Sequence, residues 1–175
     1  MERTLLCDIK GLMLAMIQGR IVSAAEFQVS GLDRGLYFGD GVYEVCRTYA
    51  GRIWGWAEHL ERFRRSVQAI DLQNVNLARV VAWVEEAFAA VDRQDCVIYF
   101  HLTRGCAPRA HAPAEPIEPQ FLLTISPPPN VEEKQRRGIA AITYPDLRWK
   151  RCDIKSLNLL PNVMARREAA RRGAA

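Results

Sequence analysis

Pro127-Pro128-Pro129-Asn130 divides this chain more sharply than any other stretch in it. Each proline fixes φ and lacks an N–H, so three in a row can neither continue a helix nor enter a central strand. The run reads as a linker, 127-130, between a unit at 1-126 and a second at 131-175. The first side is long enough for an ordinary core. The second, about 45 residues, is too short to build one alone, and reads as a domain begun and not finished.

Hydrophobic periodicity fills in the first side. Residues 3 to 29 read as short strands, and "MLAMIQGRIV" as two of them around a turn at Gln18-Gly19. "SGLDRGLYFGDG" reads as a loop dense in Gly and Asp. "VYEVCRTYAGRIWGW" is a second hairpin, turning at Ala50-Gly51. Leu60, Phe63, Val67 and Ile70 recur at helical spacing, and a second helix is expected over Leu77 to Val91. "CVIYFHLTRG" and "QFLLTIS" are strands, separated by the irregular loop "CAPRAHAPAEPIEP". Beyond the prolines a strand is expected around Ile139 to Tyr144. A last helix should begin near Pro161 and end near Gly173. The class is α+β.

Composition excludes several alternatives. With 49% hydrophobic residues the chain is not a disordered one, and no apolar run reaches membrane-spanning length. The N-terminus lacks the apolar stretch of a signal peptide. The five cysteines are odd in number and lack metal-ligand spacing, which suits free thiols in a reducing cytoplasm and calls for no metal. The net charge of +4 lies in short basic runs that read as solvated helix faces. No nucleic-acid-binding signature accompanies them.

"RCDIKSLN", residues 151 to 158, carries the chemistry. Lys155 lies between Ile154 and Ser156 and just ahead of an apolar run, so it is carried toward the interior. Burial disfavours an ammonium and frees the amine lone pair, which can then condense with an aldehyde and carry protons. The alternative is a lysine at a strand end that snorkels to water.

"RCDIKSLNLLPNV" closely resembles the lysine segment of fold-type IV pyridoxal-phosphate enzymes, the family of D-amino-acid and branched-chain aminotransferases. "DRGLYFGDGVYEVCRTYAGRIWGWAEHLERFRRS" resembles the family's N-terminal signature, and "IYFHLTRGCAPRAHAP" is similar to the D-amino-acid branch in particular. These segments cover most of the chain from Asp33 to Gly173, in the expected order.

The resemblance implies a two-domain fold-type IV architecture, with a complete small N-terminal domain and the beginning of the larger one. It implies that Lys155 binds pyridoxal 5'-phosphate as a Schiff base and that Arg62 holds the phosphate. Tyr43, Arg109 and His111 match the set that binds the substrate carboxylate, and Tyr99 another active-site tyrosine. Arg62 by itself reads as a surface arginine of a basic helix, and the pair in "PRAH" as a surface loop. It further implies a homodimer that shares the Arg109/His111 loop across its interface, and amino transfer from a D-amino acid such as D-alanine to a 2-oxo acid such as 2-oxoglutarate.

The family chain is longer. Its glutamate for the pyridine nitrogen and its second phosphate loop would lie beyond Ala175, so the chain looks truncated. Branched-chain aminotransferase, aminodeoxychorismate lyase and an inactive fragment stand as the alternatives.

Overall fold

The computed structural model describes residues 12–114 and 116–174. A six-stranded antiparallel sheet organises the first part of the chain. Its strands are β1 (Leu14–Ile17), β2 (Arg20–Val22), β3 (Gly41–Tyr49), β4 (Arg52–Ile53), β5 (Val97–Thr103) and β6 (Gln120–Ser126), in the order β2-β1-β6-β5-β3-β4. Both expected hairpins form, with positive φ at Gln18-Gly19 and at Ala50-Gly51, the backbone that two-residue turns require.

Two helices cover one face: α2 (Trp56–Ala69) and α3 (Leu77–Ala89). Alternation along the strands sends Val42 and Cys46 of β3, Ile98, Phe100 and Leu102 of β5, and Phe121, Leu123 and Ile125 of β6 into that layer. Phe63 and Val67 of α2 and Val80, Val84 and Ala87 of α3 meet them in one apolar cluster. Each such large side chain removed from water contributes about 1.5–3 kcal/mol.

Three expectations need correction. The Gly/Asp-rich stretch at 30–41 is not all loop: Arg34–Phe38 forms a short helix, α1. Asp33 caps it by accepting from the Gly35 N–H, and Gly39 ends it at φ +62°; one turn is too short to show a hydrophobic period. Strand structure ends at Val22, and Ser23 to Glu26 form a turn closed by Ser23 Oγ on Glu26 (2.7 Å). Residues 3–11 of that expectation lie outside the described residues. Residues 139–144 form no strand; their alternation is real, but no described strand runs beside them. An unanticipated helix, α4 (Glu132–Arg137), precedes them. Asn130 accepts from the Glu132 N–H, and acids lead and bases end the helix, as its dipole favours.

The contacts divide the chain into two units. One runs to Pro128 and takes in Ile154–Leu157; the other holds Pro129–Asp153 and the residues from Asn158. The second unit carries α4 and α5 (Leu160–Arg171), with Pro161 in the first turn of α5 and Gly173 at φ +70° after its end. No helix among the described residues is long and apolar enough to cross a membrane. Cys46, Cys96, Cys106 and Cys152 are free thiols; Cys7 lies outside the described residues.

Candidate active site

β3 is paired along one edge by β5, but on its other edge β4 covers only Thr48 and Tyr49. Ile154–Leu157 lines the uncovered half. The Tyr43 N–H donates to the Lys155 carbonyl (3.0 Å), and the Leu157 N–H to the Gly41 carbonyl (3.1 Å). Gly41 allows this approach, because a Cβ there would lie 2.7 Å from the Leu102 carbonyl oxygen and 2.8 Å from Leu157 Cδ1. The Lys155 N–H also donates to Ser66 Oγ on α2 (3.2 Å).

Extended chain alternates, so Ile154 and Ser156 turn inward and are buried while Lys155 is left half-buried. Its ammonium is therefore less enclosed than the sequence suggests. Nζ lies 4.1 Å from the centroid of the Tyr43 ring, a cation–π arrangement. Tyr99 stands diagonally across on β5, its ring 5.7 Å from that of Tyr43, and its hydroxyl is 2.9 Å from His101 Nδ1. Burial, and secondarily Tyr43, pushes the Tyr99 phenol up to about 12, while burial pushes His101 below its ordinary 6.5. The pair thus shares an uncharged hydrogen bond at neutral pH. Tyr99, His101, Asp33, Thr103 and Leu157 line a cavity of about 310 Å³.

The neighbour of Tyr43 in β3 faces the other way. Glu44 is fully buried among the core side chains. Arg62 of α2 donates to it from Nε and Nη2, both at 2.6 Å, and His59 Nδ1 lies 2.8 Å from the same carboxylate. Burial pushes Glu44 up, but the hydrogen bonds from Arg62 and His59 outweigh it and hold the carboxyl below its ordinary value. Cys46 is close by; burial pushes its thiol up to about 12. Glu44, Cys46 and His59 have the spacing of a metal-binding triad, yet the guanidinium already occupies the carboxylate and the thiol is held protonated. Arg62 sits four residues before Ser66, so both lie on one side of α2, and its side chain is 42% exposed.

Arg109 and His111 form a third group, exposed on the loop after β5. Their contacts run to α1: Arg109 Cζ is 5.3 Å from the Phe38 ring centroid, and the His111 ring centroid is 5.2 Å from it. The six residues singled out from the sequence thus fall into three groups. Lys155, Tyr43 and Tyr99 are together, Arg62 lies one strand face away, and Arg109 with His111 belongs to the loop. Glu44, His59 and His101 were missed. An acid at an inward position of an apolar alternation, Val42-Glu44-Cys46, was the available signal for the first.

The family model for amino-transferase class IV matches residues 41–175. The chain belongs to this family. A class IV relative, the D-alanine aminotransferase of Staphylococcus epidermidis, is 40% identical over 161 residues, covering 91% of this chain and 57% of the relative. Among solved structures, 4-amino-4-deoxychorismate lyase from Pseudomonas aeruginosa superposes with a TM-score of 0.75 at 27% identity, covering 89% of this chain and 56% of that one. The pyridoxal-phosphate-bound form of a hypothetical aminotransferase from Mycobacterium tuberculosis does so with a TM-score of 0.74 at 26% identity, covering 91% and 60%. The α+β fold is therefore that of the fold-type IV aminotransferases, and the chain spans a little over half the length of such proteins.

Proposed function

We propose that this chain contributes the lysine, phosphate and carboxylate sites of a pyridoxal-phosphate transaminase that moves an amino group from a D-amino acid, such as D-alanine, to a 2-oxo acid such as 2-oxoglutarate. The observation that carries the reading is Lys155. Its backbone is clamped to β3 and to Ser66, while its amine lies against an aromatic ring with no carboxylate partner among the described residues. A surface lysine at a strand end has no need of such an arrangement. The 40% identity to a D-alanine aminotransferase supports the choice of branch.

The side chains fit the cofactor. Ser66 Oγ accepts from the Lys155 backbone N–H, and Arg62 lies four residues before Ser66 on the same side of α2, which supports pairing the lysine with a phosphate-binding arginine. Pyridoxal phosphate, when bound, supplies a carbonyl for the lysine and an electron sink for the substrate. Lys155 Nζ holds it, then takes and returns the proton at the substrate Cα. Arg62 binds the phosphate, with Glu44 fixing the plane of its fork. Tyr43, Arg109 and His111 orient the substrate through its carboxylate, the loop pair serving the partner's site in a homodimer, and Tyr99 lines the site beside Tyr43. The free thiols suit a cytoplasmic setting.

The test is spectroscopic, on full-length protein carrying these residues. Pyridoxal phosphate should give a visible absorption band, and borohydride should then attach the pyridoxyl group at Lys155, as read by peptide mass. Attachment elsewhere, or none, overturns the assignment. D-alanine and L-alanine are compared in the same preparation, and a preference for L would move the protein to the branched-chain branch. The likeness to the P. aeruginosa lyase supports a second reading, elimination on the same scaffold; pyruvate release from aminodeoxychorismate without turnover of D-alanine would establish it.

A further inference from the structure

We infer that Arg34, Phe38 and Asp40 form a positioning frame that sets the reach of Arg109 and His111, and so governs how tightly a substrate carboxylate is held. The inference rests on the proposed carboxylate role of that loop.

Arg34 is an unusual place for a charge. Its side chain is 4% exposed, although it lies on a one-turn helix beneath an exposed loop. Nε donates to Asp40 Oδ2 at 2.8 Å. The other two nitrogens hold successive carbonyls of the loop: Nη1 donates to Ala110 O at 2.5 Å and Nη2 to His111 O at 3.1 Å. One planar guanidinium therefore fixes the two successive peptide groups that flank His111. Its Cζ lies 4.8 Å from the Phe38 ring centroid, and that ring also meets Arg109 and His111. The backbone grip and the side-chain rest come from the same short helix.

The frame is itself anchored. Asp40 accepts from Arg104 Nε (2.9 Å), and Arg104 reaches the Ile70 and Asp71 carbonyls after α2. Asp33 accepts from Thr103 Oγ1 (2.9 Å), and the Arg34 N–H donates to Gly105 O (2.9 Å). Gly105, at φ +105°, starts the loop where a Cβ would lie 2.0 Å from Glu118 O. Both ends of the loop's first turn are thereby tied to α1. A lysine at 34 retains the charge but is a point donor on a flexible stem, and cannot span Asp40 and two carbonyls at once.

The expected effect is a loss confined to substrates that carry a carboxylate. Misplacement by about 1 Å can cost about 10²-fold. In the full-length enzyme, Arg34→Lys should raise the KM for D-alanine by about 10- to 100-fold, while kcat/KM for a carboxylate-free amine stays within about twofold. Amide hydrogen exchange at 106–112 should speed up, and borohydride labelling of Lys155 should be unchanged. Phe38→Leu keeps the apolar volume and removes the ring; it should show the same split at smaller amplitude, and it carries the test if the lysine variant does not fold. Equal losses on amine and amino acid, or an unchanged KM with faster exchange, would overturn the frame. Arg109→Ala is the control. If it discriminates between amine and amino acid while the two frame variants do not, this inference alone fails. If Arg109→Ala treats both substrates alike, the carboxylate role of the loop fails and takes the frame with it.

Discussion

Tyr43 and Glu44 are consecutive in β3 and stand on opposite faces of the same sheet. On the Glu44 face two helices exclude water, and a lone carboxylate there would be costly; it is held by a bidentate arginine and a histidine instead. On the Tyr43 face neither α2 nor α3 covers the strands, and only the one-turn α1 among the described helices of this unit lies beside them, against Thr103 and His101. There an amine, two phenols and an imidazole sit with little mutual charge pairing. One face uses its charge to fix an arginine; the other keeps its polar groups available to a ligand. Changes on the open face should therefore alter chemistry more than stability, and changes on the covered face should alter both.

The largest expected effect belongs to the open face. On the proposed function, Lys155→Ala removes the cofactor's attachment point and the proton carrier. Turnover should fall by at least about 10²–10⁴-fold, the range for general acid–base work alone. Its unfolding free energy, from urea denaturation, should change by no more than about 0.5 kcal/mol, as for a substitution away from the core. A variant that unfolds as well as losing activity would mean that the lysine is structural and that the two faces do not differ as described.

Arg62→Met comes next. It leaves the buried Glu44 with His59 as its remaining partner, and should cost about 1–3 kcal/mol in a denaturation experiment. The pH dependence sharpens this. Glu44 lies below its ordinary 4.5 in the folded protein, so its contribution is present above that value and lost as the pH falls through the depressed one. In Arg62→Met burial is opposed by His59 alone, and this part of the acid limb should flatten. An unchanged acid limb would show that the pair does not control Glu44.

The smallest effect is expected at Tyr99. Tyr99→Phe deletes the hydroxyl bonded to His101 and should cost about 1 kcal/mol. The wild-type phenol is raised from 10.0 to about 12, so its contribution is present below the lower value and lost as the pH rises through that window. The variant should lack this alkaline loss, as followed by stability against pH.

Much of this molecule follows from local pattern. Alternation in "QFLLTIS" and the spacing of Phe63 and Val67 specify strand and helix with their buried faces, because side-chain direction repeats with period 2 or 3.6 whatever lies opposite. Tight turns at Gln18-Gly19 and Ala50-Gly51 are equally local. The family segments likewise marked Lys155, Tyr43 and Tyr99, which the fold brings together. Pairing across long sequence separations is another matter. Alternation at Ile142 and Tyr144 promises a strand, but a strand needs an edge beside it. Ile154–Leu157 finds one on β3, more than a hundred residues back in the chain. Glu44 looks like an ordinary strand residue until α2 brings Arg62 to it, and Arg34 like a surface arginine until the loop at 110–111 closes over it. The sequence by itself determined most of the long strands and helices and singled out Lys155 as the residue to test. Only the tertiary structure decided which charges face each other, because burial and partners depend on distant segments rather than on neighbours in the chain.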